Sequence, residues 1–486
     1  MIRFLLSGWR DPLLLLVLTV GLHTSSNAQT LDAFLSHLAA LPNPTARETA
    51  IDSFWAQLPA VPWIDGDTAH FLYRGAATSM AVAGDFNGWN PAGSNLAQAS
   101  ASTLWHRSIV FEPEARLDYK LVRNGSEWIL DPANPNTVSG GFGPNSELAM
   151  PEYIQPWEIE TYPGVPAGTV TTMTLASTET GKTYSLQLYL PPGYDDERAE
   201  GYPVAYFQDG HEYVALASAA NIFDNLLDSG LIEPVIGVFV RPTNRNDEYA
   251  GSLRNAYADF FGLELIPYID ETYHTVSSPL RRAVIGASFG GNISAIITLA
   301  YPELFNNCGL HSGAFWPNAY DTYNDWLAST PSPDLRVAAA WGTYEGSLVG
   351  NMNDFVDVLA DDGTEHIWEE RPEGHSWGLW RSTLDDMLIL FFPPEGRPVG
   401  IGNQSLPEAI ALFPNPASKR VWVSTQDGQE ATLQLIDAGG RVMQRVATTP
   451  GSSSTELNLN GLAPGLYQVL QQSAAGASVG RLVVLP

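Results

Sequence analysis

Gly286-Ala287-Ser288-Phe289-Gly290-Gly291 decides how this chain is read. It closes the apolar run Ala283–Gly286 and opens Asn292–Ala300, a stretch of helical character. A strand that turns this sharply into a helix has room only for small residues around its serine, and the turn lifts the hydroxyl clear of the sheet. The first backbone N–H groups of the helix, Phe289 among them, then have no intrahelical acceptor and can meet a developing negative charge. The bare G-x-S-x-G spacing says little. The strand before it and the helix after it give Ser288 the reading of a nucleophile.

Working outward, strand-like runs at Val204–Phe207, Val235–Val240, Ala283–Gly286 and Val337–Trp341 alternate with helix-length segments such as Ala256–Tyr273 and Asn351–Asp361. This alternation, from Thr169 to about Phe392, predicts an α/β domain with a mostly parallel sheet covered on both faces. A serine needs a base near neutral pH, and three histidines follow Ser288. His311 ends the next strand-like run and reads as a core or rim residue, and His366 falls inside the strand-like Glu365–Glu370. His375 lies in the loop Pro372–Trp377, where an imidazole can swing over the serine, and is the candidate base. Glu345, just past Val337–Trp341, is the candidate carboxylate, with Asp354 and Asp357 on the following helix as competitors. A second oxyanion donor is expected from Gly210 or His211, where a glycine would let backbone approach the substrate. Arg241, Arg245 and Arg254 are candidates for a cationic pocket, and Trp316, Tyr344 and Trp377 are aromatic candidates for an acyl or sugar group. Arg245, Trp316 and Trp377 are taken as the substrate contacts. No metal and no cofactor are expected.

The chain has 486 residues, with 53 acidic against 24 Lys and Arg, for a net charge of −29. That balance sets aside nucleic acid and anionic membrane surfaces as partners. Arg3 and Arg10, an apolar run from Pro12 to Leu22 and the small residues Ser26-Asn27-Ala28 predict a signal peptide over 1–28, and no integral membrane segment is expected. Cys308 is the sole cysteine, so no internal disulfide can form. Residues 29–66 read as a helical lead-in, 67–150 as a β-sandwich of short alternating strands, 151–168 as a linker and 169–392 as the α/β domain. A second linker (393–408) precedes a final all-β segment (409–486).

Phe207-Gln208-Asp209-Gly210, Arg245-Asn246-Asp247-Glu248-Tyr249, Glu264-Leu265-Ile266-Pro267, the Ser288 turn, Gly342-Thr343-Tyr344-Glu345 and Glu373-Gly374-His375-Ser376-Trp377, in this order, resemble the esterase family that groups enterochelin, feruloyl and acetylxylan esterases with S-formylglutathione hydrolases. The resemblance implies an α/β-hydrolase fold and the same roles for Ser288, His375 and Glu345. Ala83-Gly84-Asp85-Phe86-Asn87-Gly88-Trp89, with Tyr119-Lys120, Trp128, Asp131-Pro132 and Asn145, is similar to early-set immunoglobulin-like modules. In those modules the residues matching Trp89, Lys120, Trp128 and Asn145 touch sugar, whereas ahead of an enterochelin-type hydrolase the module shapes the cleft, which is the reading preferred. Leu412-Phe413-Pro414-Asn415-Pro416-Ala417, Ile436–Arg441 and Leu462–Tyr467 resemble a type IX secretion C-terminal sorting domain. Together these imply a secreted or surface serine esterase exported through the periplasm, whose partners are type IX secretion machinery and an enterochelin-like siderophore, feruloyl or acetyl-polysaccharide ester. Acyl transfer to a sugar, or non-catalytic glycan binding on a hydrolase fold, are the rival functions.

Overall fold

The computed structural model describes residues 30–394 except 142, 330 and 331, and most of 412–484. The signal-peptide stretch, nearly all of the second linker, and Pro416, 438–441 and 463–464 of the sorting motifs lie outside the described residues.

One compact unit holds two leading helices, Leu31–Ala40 and Pro44–Trp55, together with Gln98–Leu104. Thr30 Oγ1 and Asn43 Oδ1 cap the helices by accepting from the N–H groups of Ala33 and Ala46, and Pro44 begins the second where its missing N–H costs nothing. Phe34 stacks on Phe54 at 3.9 Å between ring centroids. Glu48 accepts from the backbone N–H and hydroxyl of Thr103 at 2.9 and 2.6 Å.

In the second unit two antiparallel sheets form a sandwich. One contains Trp63–Asp65, Thr68–Arg74 and Leu104–Val110, and the other contains Met80–Gly84, Arg116–Arg123, Glu127–Ile129, Thr137–Gly140 and Gly143–Ala149. Alternating residues such as Phe71, Tyr73, Val82, Leu117, Tyr119 and Leu121 fill the space between them.

The α/β domain is an eight-stranded sheet. Its strands are β1 (Thr169–Ala176), β2 (Thr183–Leu190), β3 (Val204–Phe207), β4 (Ile236–Arg241), β5 (Arg282–Ala287), β6 (Asn307–His311), β7 (Arg336–Gly342) and β8 (Glu365–Arg371), in the order β1-β2-β4-β3-β5-β6-β7-β8. β1 and β2 are antiparallel to their neighbours, and the six strands β3 through β8 run parallel. The central strands are buried on both faces, which is why they read as unbroken apolar runs. One face packs on Phe207, Phe223, Phe239 and Leu388, the other on Tyr184, Tyr206, Phe260 and Phe261.

The segment expected as a single helix over Ala256–Tyr273 is instead two α-helices, Arg254–Asp259 and Ile266–Thr272, joined by a π-helical turn at Phe260–Leu265. Two residues account for this. A Cβ at Gly262 would lie 2.3 Å from the Tyr301 ring, so the turn widens where that ring is seated, and Pro267 cannot donate an intrahelical bond. Cys308 lies fully buried near the start of β6, and burial pushes its thiol up to about 12, leaving it a packing residue.

The final segment also forms two antiparallel sheets, one with Leu412–Phe413, Arg420–Ser424 and Ser454–Asn458, the other with Ala431–Asp437, Val442–Ala447, Gly465–Ser473 and Gly476–Val484. Val421, Val423, Leu433, Leu457, Val469 and Leu482 form its core. No described helix is long and apolar enough to cross a membrane.

Candidate active site

Ser288 stands between β5 and the helix Phe289–Ala300 with φ 59° and ψ −121°, a backbone conformation that a residue with a side chain holds only under constraint. The constraints are visible. Its N–H donates to His311 O at 2.8 Å and its carbonyl accepts from Ala314 N at 3.0 Å. A Cβ at Gly286 would fall 2.2 Å from Gly290 O, and one at Gly291 would fall 3.0 Å from Gly313 Cα, so only glycine permits strand and helix to approach this closely.

Glu345 follows β7, and His375 follows β8 in the next parallel position. Glu345 Oε2 lies 3.4 Å from His375 Nδ1, with the carboxylate 1 % exposed and the imidazole 38 %. The other oxygen, Oε1, accepts from Ser312 Oγ at 2.7 Å, and Ser312 Oγ in turn accepts from Trp380 Nε1 at 2.9 Å. Oε2 has no other hydrogen-bond donor among the described residues, so the one open valence of this buried carboxylate faces the imidazole. At 3.4 Å the pair stands just beyond ordinary N–H···O hydrogen-bond distance. Trp380 also meets the His375 ring edge-on at 5.0 Å. Asp354 and Asp357 lie on the helix Ser347–Asp362, and among the described residues no ion pair joins either to His375. Ser312 and Trp380 were not singled out from the sequence; the only signal was Ser312's place immediately after β6.

His311 is fully buried, with Nδ1 2.7 Å from Tyr213 Oη, and burial pushes its pKa down to about 3. His366 sits in β8 with Nδ1 2.7 Å from Thr364 O. Gly210 and His211 open the helix Gly210–Ala215 directly after Asp209, itself at φ 51°. A Cβ at Gly210 would lie 2.3 Å from Phe239 backbone, so the glycine lets this helix pack closely on β4. Burial, and Arg241 after it, hold the His211 imidazole below its ordinary pKa.

The candidate substrate contacts separate. Trp316 is 43 % exposed and tilts against Phe289 at 5.6 Å. Trp377, expected at the substrate, is instead only 7 % exposed and packs edge-on against Tyr213 and Trp380, so its ring fills core under the site. Arg245 is not an open cation. Its guanidinium forks onto Asp209 through Nε at 2.8 Å and Nη2 at 2.7 Å, and Nη2 also donates to Ala287 O. Arg254 pairs with Asp321 at 2.6 Å, and Arg241 is exposed. Tyr344 donates to Glu112 of the sandwich at 2.6 Å. In the sandwich Trp89 stacks near Trp128 and donates to Asp85 at 3.0 Å, and Asn145 donates to Asp118 at 2.9 Å.

The loop carrying His375 is tied down on both sides. Thr343 N and Tyr344 N donate to the carbonyls of Arg371 and Glu373 at 2.8 and 3.1 Å, and Arg116 N of the sandwich donates to Pro372 O at 3.1 Å. Burial pushes the Glu373 carboxyl up to about 7, against the pull of Arg116 and Arg371.

Residues 177–391 match the family model described as Putative esterase, and 411–485 match that of a secretion-system C-terminal sorting domain, which marks the chain for export to the surface or medium. The chain is 32 % identical over 174 residues to the uncharacterised protein YbbA of Bacillus subtilis, covering 33 % of this chain and 68 % of that protein. It is 36 % identical over 234 residues to an endo-1,4-beta-xylanase/feruloyl esterase of Xylanibacter ruminicola, covering 45 % of this chain and 31 % of that one. The solved ferric enterobactin esterase of Salmonella typhimurium superposes with a TM-score of 0.58 at 19 % identity, over 70 % of this chain and 98 % of that one, which shows a shared α/β-hydrolase fold. By its family model, its relatives and this fold, the chain belongs to the putative esterase family of carboxylic ester hydrolases.

Proposed function

We propose that the chain is a secreted serine esterase working through Ser288, His375 and Glu345. Ser288 Oγ attacks the acyl carbon while His375 takes its proton. The tetrahedral oxyanion is held by the N–H of Phe289 and the N–H groups at Gly210 and His211. His375 then returns the proton to the leaving alcohol, and water repeats the sequence to release the acid. The observation that carries this reading is the buried Glu345 carboxylate, fixed on one oxygen by Ser312 and facing His375 with the other.

Among esters, the site favours a neutral aryl or acetyl-polysaccharide substrate over a multiply anionic ferric siderophore. Of the three candidate cations Arg245 and Arg254 are already matched to carboxylates, which leaves Arg241 to meet an anion, and Trp316 offers an exposed aromatic face beside Phe289. Ser288→Ala should lower kcat on a simple aryl acetate by about 10⁶-fold, and Glu345→Gln by about 10⁴-fold or less, since orienting the base contributes less than being the nucleophile. Residual Ser288→Ala activity within tenfold of wild type would overturn the assignment. A panel of feruloyl, acetyl-xylan and siderophore esters tests the substrate class.

A further inference from the structure

Arg116 is the first residue of its sandwich strand, yet its side chain is fully buried and reaches into the α/β domain. Nε donates to Glu147 at 2.6 Å, Nη2 pairs with Asp118 at 2.8 Å, Nη1 donates to Ser376 Oγ at 3.2 Å and lies 3.7 Å from Glu373. The residues on either side of His375 are thus gripped from the sandwich. A Cβ at Gly378 would lie 1.9 Å from Arg116 Nη1, and one at Gly374 would lie 2.1 Å from Asp85 Cγ. Asp85 is itself fixed by accepting from Asp118 N at 2.7 Å.

A fully buried guanidinium is weak evidence for stability, because well-packed apolar residues commonly serve a core as well or better. What the guanidinium provides that they cannot is directional contact with several groups at once. Here two of those groups, Glu373 and Ser376, bracket the candidate base at close range. We propose that Arg116 is a positioning residue for hydrolysis: the sandwich, through Arg116 and Asp85, sets the place of His375 over Ser288 and against Glu345. This rests on the reading of His375 as the base.

The test uses the full chain, with Arg116→Lys and Ser376→Ala. Arg116→Lys keeps the charge and loses the fork, so kcat on an aryl acetate should fall about 10–100-fold with KM within twofold, the scale of a misplaced catalytic group. Ser376→Ala removes a single hydroxyl and should give the same pattern at smaller size, so it carries the test if Arg116→Lys does not fold. Labelling of Ser288 by an organophosphorus ester separates the two ideas. If wild type is not labelled at Ser288, or His375→Ala labels equally fast, the triad reading falls and this proposal with it. If labelling depends on His375 while the folded variants keep wild-type kcat, the positioning role alone is overturned.

Discussion

His311 and His375 are both histidines beside the strand ends of one sheet, and their surroundings separate them. His375 is partly exposed and meets Glu345, whereas His311 is enclosed beside Tyr213 and pushed by burial from 6.5 to about 3. Between those values the unfolded chain binds a proton that the folded chain refuses. The stability from this group is therefore fully present above pH 6.5 and is lost as pH falls towards 3. His311 ring resonances should keep their neutral-form shifts from pH 8 to pH 4 while the protein stays folded; a midpoint near 6.5 would show that the ring is not enclosed. The sequence placed His311 in the core or rim because it ends a strand-like run. That its partner is Tyr213, 98 residues earlier, follows only from how the helix after β3 crosses the sheet.

At the scale of elements, the Ser288 turn works because its glycines let a helix start almost on top of a strand. Gly286→Ala would set a methyl group 2.2 Å from Gly290 O, and that backbone cannot yield without rotating Ser288. The expected loss is about 1–3 kcal/mol of stability, read as a lower urea midpoint, together with a fall in kcat. A variant matching wild type in both would mean that the turn has slack the close approach denies. This element was legible from sequence because strand, small-residue turn and helix are contiguous. The π-helical turn at Phe260–Leu265 was not, since one of its two causes, the Tyr301 ring against Gly262, lies well along the chain.

At the scale of the molecule, candidate catalysis and export occupy different segments: Ser288, Glu345 and His375 fall within 177–391 and the sorting match within 411–485. Deleting everything after Pro407 should leave aryl acetate hydrolysis intact and retain the enzyme in the periplasm, as read by fractionating cells that express both forms. Normal arrival of the truncated form at the surface or in the medium would sink this division. Correct delivery with lost activity would instead place the final segment at the substrate site.

What the sequence determined by itself was whatever is written locally: the β/α alternation, the tight turn at Ser288 and the short alternating strands at either end. Each is written in neighbouring residues, because periodicity and turn chemistry act over a few positions. The tertiary structure decided which side chains are open to a ligand and which are already matched. Trp377 packs beneath the site, Arg245 is bound to Asp209, and Arg116 reaches from the sandwich to the His375 loop some 260 positions on. Burial and pairing at such separations are set by how the sheets and helices pack against one another, and no local pattern encodes them.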